Sequence, residues 1–384
     1  MKIRFHSKVV LVAASVALLA TACGSSSSST PSASPTSGES SVSGSPSDPT
    51  ADAAAALATY LNTKDLVYAK PEAPFAVGKG KVAIISCGQT GIGCQQMSAF
   101  AQEAAKAAGW EASPTLDGKF DPNQQAAYVQ QALNQGYNAI ILASIDAKSI
   151  SAAIEAAVAK KVPVACIMCE NPDFAGKVID TTTGGYGGGF ALSTWMAVTV
   201  AGKGNIVGFD DKSFPIVAAR MTGIKEGLAK YCPECTFSLE QFPTSDLAKP
   251  GPPTWTGFLA ANPAGKVQIV AGPYDFMSLP AAKTSAQAGR TDPLITGFDA
   301  YSEFVAAIGS GDPATAGATV AAPFEYASWA AMDQVARAVA GQPEWEANKL
   351  PVAVVDKSNA SEFADGYLKT PFSTPDYFKT QWTS

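Results

Sequence analysis

Residues 122–164 read PNQQAAYVQQALNQGYNAIILASIDAKSISAAIEAAVAKKVPV, and the period of their apolar residues alternates. From Gln124 to Gln135 the apolar residues recur at helical spacing, whereas Ala139 to Ala143 (AIILA) is an unbroken apolar run of strand length. Ser149 to Lys160 returns to helical spacing, and Val162 to Ile167 (VPVACI) is again apolar throughout. Short runs without polar alternation are strands buried on both faces, and strands that alternate with helices lie parallel.

Working outward, the same alternation continues in both directions. Lys81 to Ser86 (KVAIIS), Asn205 to Phe209, Val267 to Ala271 and Leu294 to Phe298 predict further buried strands, with weaker ones near Glu111 to Thr115 and Thr236 to Gln241. Ala53 to Leu61, Met97 to Ala108, Ile216 to Tyr231 and Tyr326 to Ala340 predict helices. Repeated β-α order implies parallel sheets covered by helices, an α/β fold in which ligands sit at the carboxyl ends of strands. Residues just after each strand are therefore the candidates for function.

The amino terminus addresses the compartment. Lys2, Arg4 and Lys8 precede an apolar run from Val9 to Ala20 that is too short to cross a hydrocarbon core needing ~20 residues, which is the pattern of a secretory signal over 1–22. Leu18 to Gly24 resembles the bacterial lipobox, with Ala20 where that pattern prefers leucine, and the resemblance makes Cys23 the lipidated first residue of the mature chain. Residues 23–50 then form a tether almost entirely of Ser, Pro, Gly, Thr and Ala after Cys23, a composition too poor in large apolar groups to fold. A helix and lead-in follow over 51–78. The remainder is long enough for two lobes.

Composition excludes several functions. The net charge of −6 becomes −9 once the three basic signal residues are removed, which argues against a nucleic-acid partner. The one histidine, His6, lies in the signal, so the mature chain has no Ser-His-Asp triad, Cys-His dyad or histidine metal site. Cys87, Cys94, Cys166, Cys169, Cys232 and Cys235 remain after Cys23 is lipidated. An even set in an exported chain reads as disulfides; sequence leaves the connectivity open, although Cys232 and Cys235 make a plausible local pair and a Cys87–Cys94 bridge would pin the loop after the first strand. A four-sulfur zinc site built from the two C-x-x-C pairs is the less favoured alternative, and no metal or cofactor is expected.

The ordered set KVAIIS (81–86), the stretch at 122–164, VAARMTGIKEGL (217–228) and LITGFDAYSEFVAAI (294–308) resembles the type I periplasmic binding proteins, the family of ribose- and galactose-binding proteins. The resemblance runs from about Lys79 to Lys357. It implies two Rossmann-like lobes with parallel sheets, joined by three crossing segments near 178–183, 319–323 and 350–355. The first lobe would hold 79–180 with 324–349, and the second 181–323 with 350–384.

The resemblance also implies ligand residues. Arg220 matches the position of an arginine that forks onto ligand hydroxyls, Asp299 matches a ligand carboxylate, and Tyr274 with Asp275 stands where the family has Asn-Asp. In the first lobe, Gln89 lies in the loop after KVAIIS, Asp146 after IILASI, and Glu170 follows Cys169 where the family often has Asp-Arg or Asp-Asn. Phe214 and Phe324 are stacking candidates, with a core role as their alternative. Asp146 has a helix cap as its alternative, and so has Glu325, which follows the second crossing where the family often has glutamine. The expected function is capture of a small polar ligand, a monosaccharide foremost, by a monomeric lipoprotein on the outer face of the cell membrane that delivers it to an ABC permease. A receptor presenting a nucleoside or quorum-type signal to a membrane sensor is the second reading. A third, an exported glycosidase using Asp275 and Asp299 as paired acids, is disfavoured, so the protein is expected not to be an enzyme.

Overall fold

A computed structural model describes residues 48–242, 246 and 253–383. The expected signal, Cys23 and the tether as far as residue 47 lie outside the described residues. The chain enters through helix α1 (Pro49–Leu61) and the two-residue strand β1 (Phe75–Ala76), then builds β2 (Lys81–Ser86), α2 (Ile92–Ala107), β3 (Glu111–Ala112) and β4 (Leu116–Asp117). The stretch at 122–164 gives α3 (Pro122–Asn134), β5 (Ala139–Ala143), α4 (Ser151–Ala159) and the start of β6 (Val164–Ile167).

Local chemistry fixes those boundaries. Asp121 caps α3 by accepting from the Asn123 N–H at 2.9 Å, and Pro122 takes a first-turn position where its missing N–H costs nothing. Gly136, at φ +72°, turns the chain out of the helix. Every residue of β5 and β6 is buried, as the absence of polar alternation predicted. After β7 (Ile179–Thr181) the chain enters α5 (Gly185–Thr199).

The second half continues with β8 (Asn205–Asp210), α6 (Pro215–Tyr231), β9 (Thr236–Gln241), α7 (Pro253–Ala261), β10 (Ile269–Ala271), α8 (Asp275–Gln287), β11 (Leu294–Thr296), α9 (Ser302–Ser310) and β12 (Ala316–Ala321). It closes with α10 (Phe324–Val339), β13 (Ala353–Val355), α11 (Thr374–Gln381) and β14 (Trp382–Thr383). Two sheets result. The first has the order β3-β2-β5-β6-β7, with β4 also on β2, and all its pairs are parallel. The second has the order β13-β12-β11-β10-β8-β9 and is parallel except for the β12–β13 pair. In each sheet the earliest strand, β2 or β8, lies between later ones, so the loops after it and its neighbour open a crevice at the carboxyl ends.

Helix α10 covers the first sheet, packing on α2 and on β5, β6 and β7. The chain thus passes from first lobe to second after β7, back between β12 and α10, and over again before β13. Two of these passages touch: the Thr182 N–H donates to the Ala347 carbonyl at 3.0 Å and the Leu350 N–H to the Thr182 carbonyl at 2.9 Å.

The carboxyl terminus departs from its expected place in the second lobe. Residues 360–363 pack on α9, but Tyr367 then meets Phe100 of α2, ring centroids 5.2 Å apart, and α11 lies on α10. The cause is aromatic burial: Trp382 stacks on Trp329 at 5.6 Å and 6°, and Phe378 is fully buried between Tyr326 and Trp329. Asp333 of α10 anchors the cluster, accepting from the indole N–H of Trp382 at 2.8 Å and of Trp345 at 2.7 Å.

The amino-terminal helix makes the opposite crossing. α1 packs on α5, α6 and β13 of the second lobe, whereas Tyr68 stands 5.1 Å from the Tyr326 ring of α10. The Ala69 carbonyl accepts from the Tyr326 hydroxyl at 2.5 Å, and β1 pairs with β14.

Candidate functional site

A cavity of about 70 Å³ lies between the lobes at the carboxyl ends of their strands. Its first-lobe wall comes from the turn into α2 (Gly91 to Cys94), from Met97, and from Phe120, Ser144 and Met168; its second-lobe wall includes Phe214, Arg220, Tyr274 and Asp299, with Phe324 at the crossing. Phe120, Ser144, Met168 and Asp299 have φ of +56°, +50°, +51° and +101°, the left-handed region that non-glycine residues avoid. Such strain persists where surrounding structure enforces it, and it gathers at binding sites.

Arg220 is placed by the packing of its helix. Gly189 of α5 meets α6 so closely that a Cβ there would stand 1.9 Å from the Arg220 carbonyl oxygen, and one on Gly223 would stand 2.1 Å from that of Tyr186. The glycine run at the start of α5, which reads poorly as helix, is what lets the two helices touch. From this seat Arg220 Nη1 donates to the Pro273 carbonyl at 2.9 Å, Nη2 donates to Asp299 Oδ1 at 2.9 Å, and the guanidinium lies 4.4 Å from the Phe298 ring. Asp299 is itself held by its N–H, which donates to the Val320 carbonyl at 2.8 Å.

Aromatic rings line the crevice. Phe120 and Phe214 meet edge to face across the lobes at 6.3 Å, and Phe214 meets Tyr274 at 6.0 Å. The Tyr274 hydroxyl donates to Asp211 Oδ2 at 2.9 Å. Burial, reinforced by the Asp211 carboxylate, holds the Tyr274 phenol well above its ordinary value, so it stays a neutral donor.

The structure brings together Phe214, Arg220, Tyr274, Asp299 and Phe324 of the expected residues. Four others are engaged elsewhere. Gln89 turns back to donate to the Ser98 hydroxyl at 3.1 Å. Asp146 accepts from the Lys148 N–H at 2.9 Å and closes its own turn. Glu170 Oε2 accepts from the Gly185 N–H at 2.8 Å, joining the first lobe to the start of α5. Burial raises its carboxyl above the usual range, against the Gly185 hydrogen bond and the Arg220 charge.

Asp275 is wholly buried beneath the site. It accepts from the Thr319 hydroxyl at 2.7 Å and the Tyr301 N–H at 2.8 Å, and burial followed by the Asp299 charge raises it well above a normal carboxyl. It therefore does not form, with Asp299, the pair of cavity carboxylates that glycoside hydrolysis needs. Glu325 also lies off the cavity, beside Thr374.

The six cysteines close as Cys87–Cys94, Cys166–Cys169 and Cys232–Cys235, with Cα separations of 5.9, 5.7 and 5.3 Å. The two C-x-x-C pairs lie in different lobes, each closed on itself, so they make no four-sulfur zinc set. Cys94 stands on the cavity wall, and its bridge ties the start of α2 to the end of β2. The apolar wall residues Ile92, Met97 and Met168 were not legible as site residues, because on a strand-end loop or helix face they read as core.

The cleft and its two sheets have known counterparts. Residues 82–343 match the model of a periplasmic binding protein domain. The chain is 30% identical over 206 residues to a xylitol-binding protein of Mycolicibacterium smegmatis, a match covering 50% of this chain; the chain spans about half the length, 54%, of that relative. Among solved structures, an ABC transporter solute binding protein from Mycobacterium smegmatis with bound glycerol superposes with a TM-score of 0.64 at 23% identity, covering 74% of this chain and 96% of that one. One from Agrobacterium vitis with bound allitol gives 0.66 at 20%, covering 76% and 99%. The myo-inositol binding protein of Caulobacter gives 0.66 at 20%, covering 73% and 95%. At these identities the structures attest the fold. With the family model spanning most of the two lobes, the chain belongs to the periplasmic binding protein domain family.

Proposed function

We propose that this protein is the extracytoplasmic receptor of an ABC transporter, capturing a small neutral hydroxylated solute of the polyol and sugar class and presenting it to the permease. The observation that carries the reading is the Arg220–Asp299 fork, exposed to the cavity from the second lobe and facing the first. An arginine already compensated by a carboxylate offers paired donors and an acceptor without net charge, which suits adjacent hydroxyls. A ligand touching both walls would stabilise the closed state over the open one. The bound solutes named for the relatives, xylitol, glycerol, allitol and myo-inositol, support the class.

In this reading Cys23 carries the lipid that holds the receptor at the membrane, and the protein acts as a monomer without cofactor or turnover. Among the described residues no helix is long and apolar enough to cross a membrane. The test is a thermal-shift screen against pentitols, hexitols, inositols and monosaccharides. A ligand at a hundred times its Kd adds about 2.7 kcal/mol to folded stability, a visible shift. Silence from all of these, with a response to a nucleoside, would replace transport of polyols by signal reception.

A further inference from the structure

The two walls of the cavity differ in chemistry. The second lobe offers the Arg220–Asp299 fork. The first lobe offers the side chains of Ile92, Met97, Phe120 and Met168 beside the start of α2 at Gly91 to Cys94, whose cap has no side-chain partner. Of its polar side-chain candidates, Gln89 turns to Ser98, Asp146 to its own turn, and Glu170 is held through one oxygen by Gly185. The remaining hydroxyl on that wall, Ser144, donates to the Met168 carbonyl at 3.0 Å. Phe214 and Phe324 extend the apolar surface on the far side.

A fully hydroxylated ligand is poorly matched to such a slot. Hydroxyls directed at the fork exchange water for protein partners, but those pressed against methionine, isoleucine and phenylalanine lose water and gain nothing. A methylene in the same place gains, by about fourfold in affinity for each one buried. Charge narrows the class further, because Arg220 is already paired with Asp299 and, among the described residues that line the cavity, it is the one cationic side chain.

We propose that the preferred ligand is a neutral amphipathic diol, whose adjacent hydroxyls engage Arg220 and Asp299 while an alkyl, deoxy or aryl portion lies against Ile92, Met97, Phe120 and Met168. The inference rests on the solute-receptor reading above. It changes the ligand from a polyol hydroxylated on every carbon to one with a polar edge and an apolar body.

The experiment is calorimetric titration of the full chain with glycerol, its methyl, propyl and butyl monoethers, and xylitol. The head group is constant along the ether series, so the slope reports the first-lobe wall. Affinity is expected to rise about fourfold per methylene, roughly sixtyfold from methyl to butyl, and the butyl ether is expected to outbind xylitol. Ile92→Ser, at a half-exposed first-turn position that tolerates serine, is expected to cut the butyl-to-methyl ratio below about tenfold. A flat or falling series, or an unchanged ratio in I92S, overturns the inference. Tight xylitol with weak ethers overturns it while leaving the receptor reading intact; no binding by any of the five also overturns it, and the receptor reading falls with it only if the hexitols, inositols and monosaccharides are silent too.

Discussion

Arg220 Nη2 and Asp299 Oδ1 stand 2.9 Å apart, with the arginine side chain 10% exposed and the aspartate 23%. The pair is thus largely withdrawn from water yet open to the cavity on one side. Arg220→Lys keeps the charge but cannot reach Pro273 and Asp299 with one planar fork. We expect at least a tenfold loss of ligand affinity, about 1.4 kcal/mol, measured by calorimetry. Arg220→Ala also strands the Asp299 charge and should lower stability by about 3 kcal/mol in denaturant unfolding.

Gly189→Ala should weaken binding without touching a ligand. Its Cβ would fall 1.9 Å from the Arg220 carbonyl oxygen, a backbone atom that cannot rotate aside. Overpacking of this kind costs about 1 to 3 kcal/mol and must displace α6. Lower unfolding midpoint and lower affinity together are the expected result.

Glu170 makes stability depend on pH. Burial raises its carboxyl in the folded state, so the native protein holds that proton more tightly than the unfolded chain. The resulting contribution is fully present below the ordinary glutamate range and is lost as pH rises through the raised value. Glu170→Gln, which keeps an acceptor for the Gly185 N–H, should therefore gain stability over the parent at about pH 8 and match it at about pH 4. Denaturant midpoints at the two pH values check the sign.

Asp275 is expected to be structural. Asp275→Ala leaves the Thr319 hydroxyl and the Tyr301 N–H buried without an acceptor and should cost about 2 to 4 kcal/mol. Asp275→Asn retains one acceptor and gives Thr319 a donor in place of the other, so the loss should stay within about 1 kcal/mol.

The Cys87–Cys94 bridge closes a short loop that carries Gly91 to the cavity rim. Replacing both cysteines by serine should cost about 2.5 kcal/mol from restored freedom of the unfolded chain. Unfolding under non-reducing conditions measures it.

Much of this architecture could be read before any coordinates. The alternation at 122–164 returned its helices and strands within a few residues, because each element carries its own period and its own stop, such as Gly136. The helix over Gly185–Thr199 was not legible: the glycines that oppose helix in isolation are required by the close approach of α6. At the site, Arg220 and Asp299 were legible through the family resemblance, which set VAARMTG and the residue after LITGF at ligand positions. Asp146, also placed after a strand, carried a capping alternative in the sequence, and it closes its own turn, since a polar residue there caps as readily as it meets a ligand. The carboxyl-terminal aromatics gave no local sign of which lobe they would cover; only the surface of α10, far away in sequence, decides that.

The lead-in from α1 has a mechanical consequence. One end is fastened to the second lobe and the other, at Tyr68, to the first. The six residues Asn62–Val67 between them can extend to roughly 20 Å at most. This segment runs as a strap across the hinge, and parting its two anchors beyond that reach would mean peeling one of them away. The amino-terminal chain thus sets an outer bound on how far the lobes can part, and no residue of the cleft takes part in it.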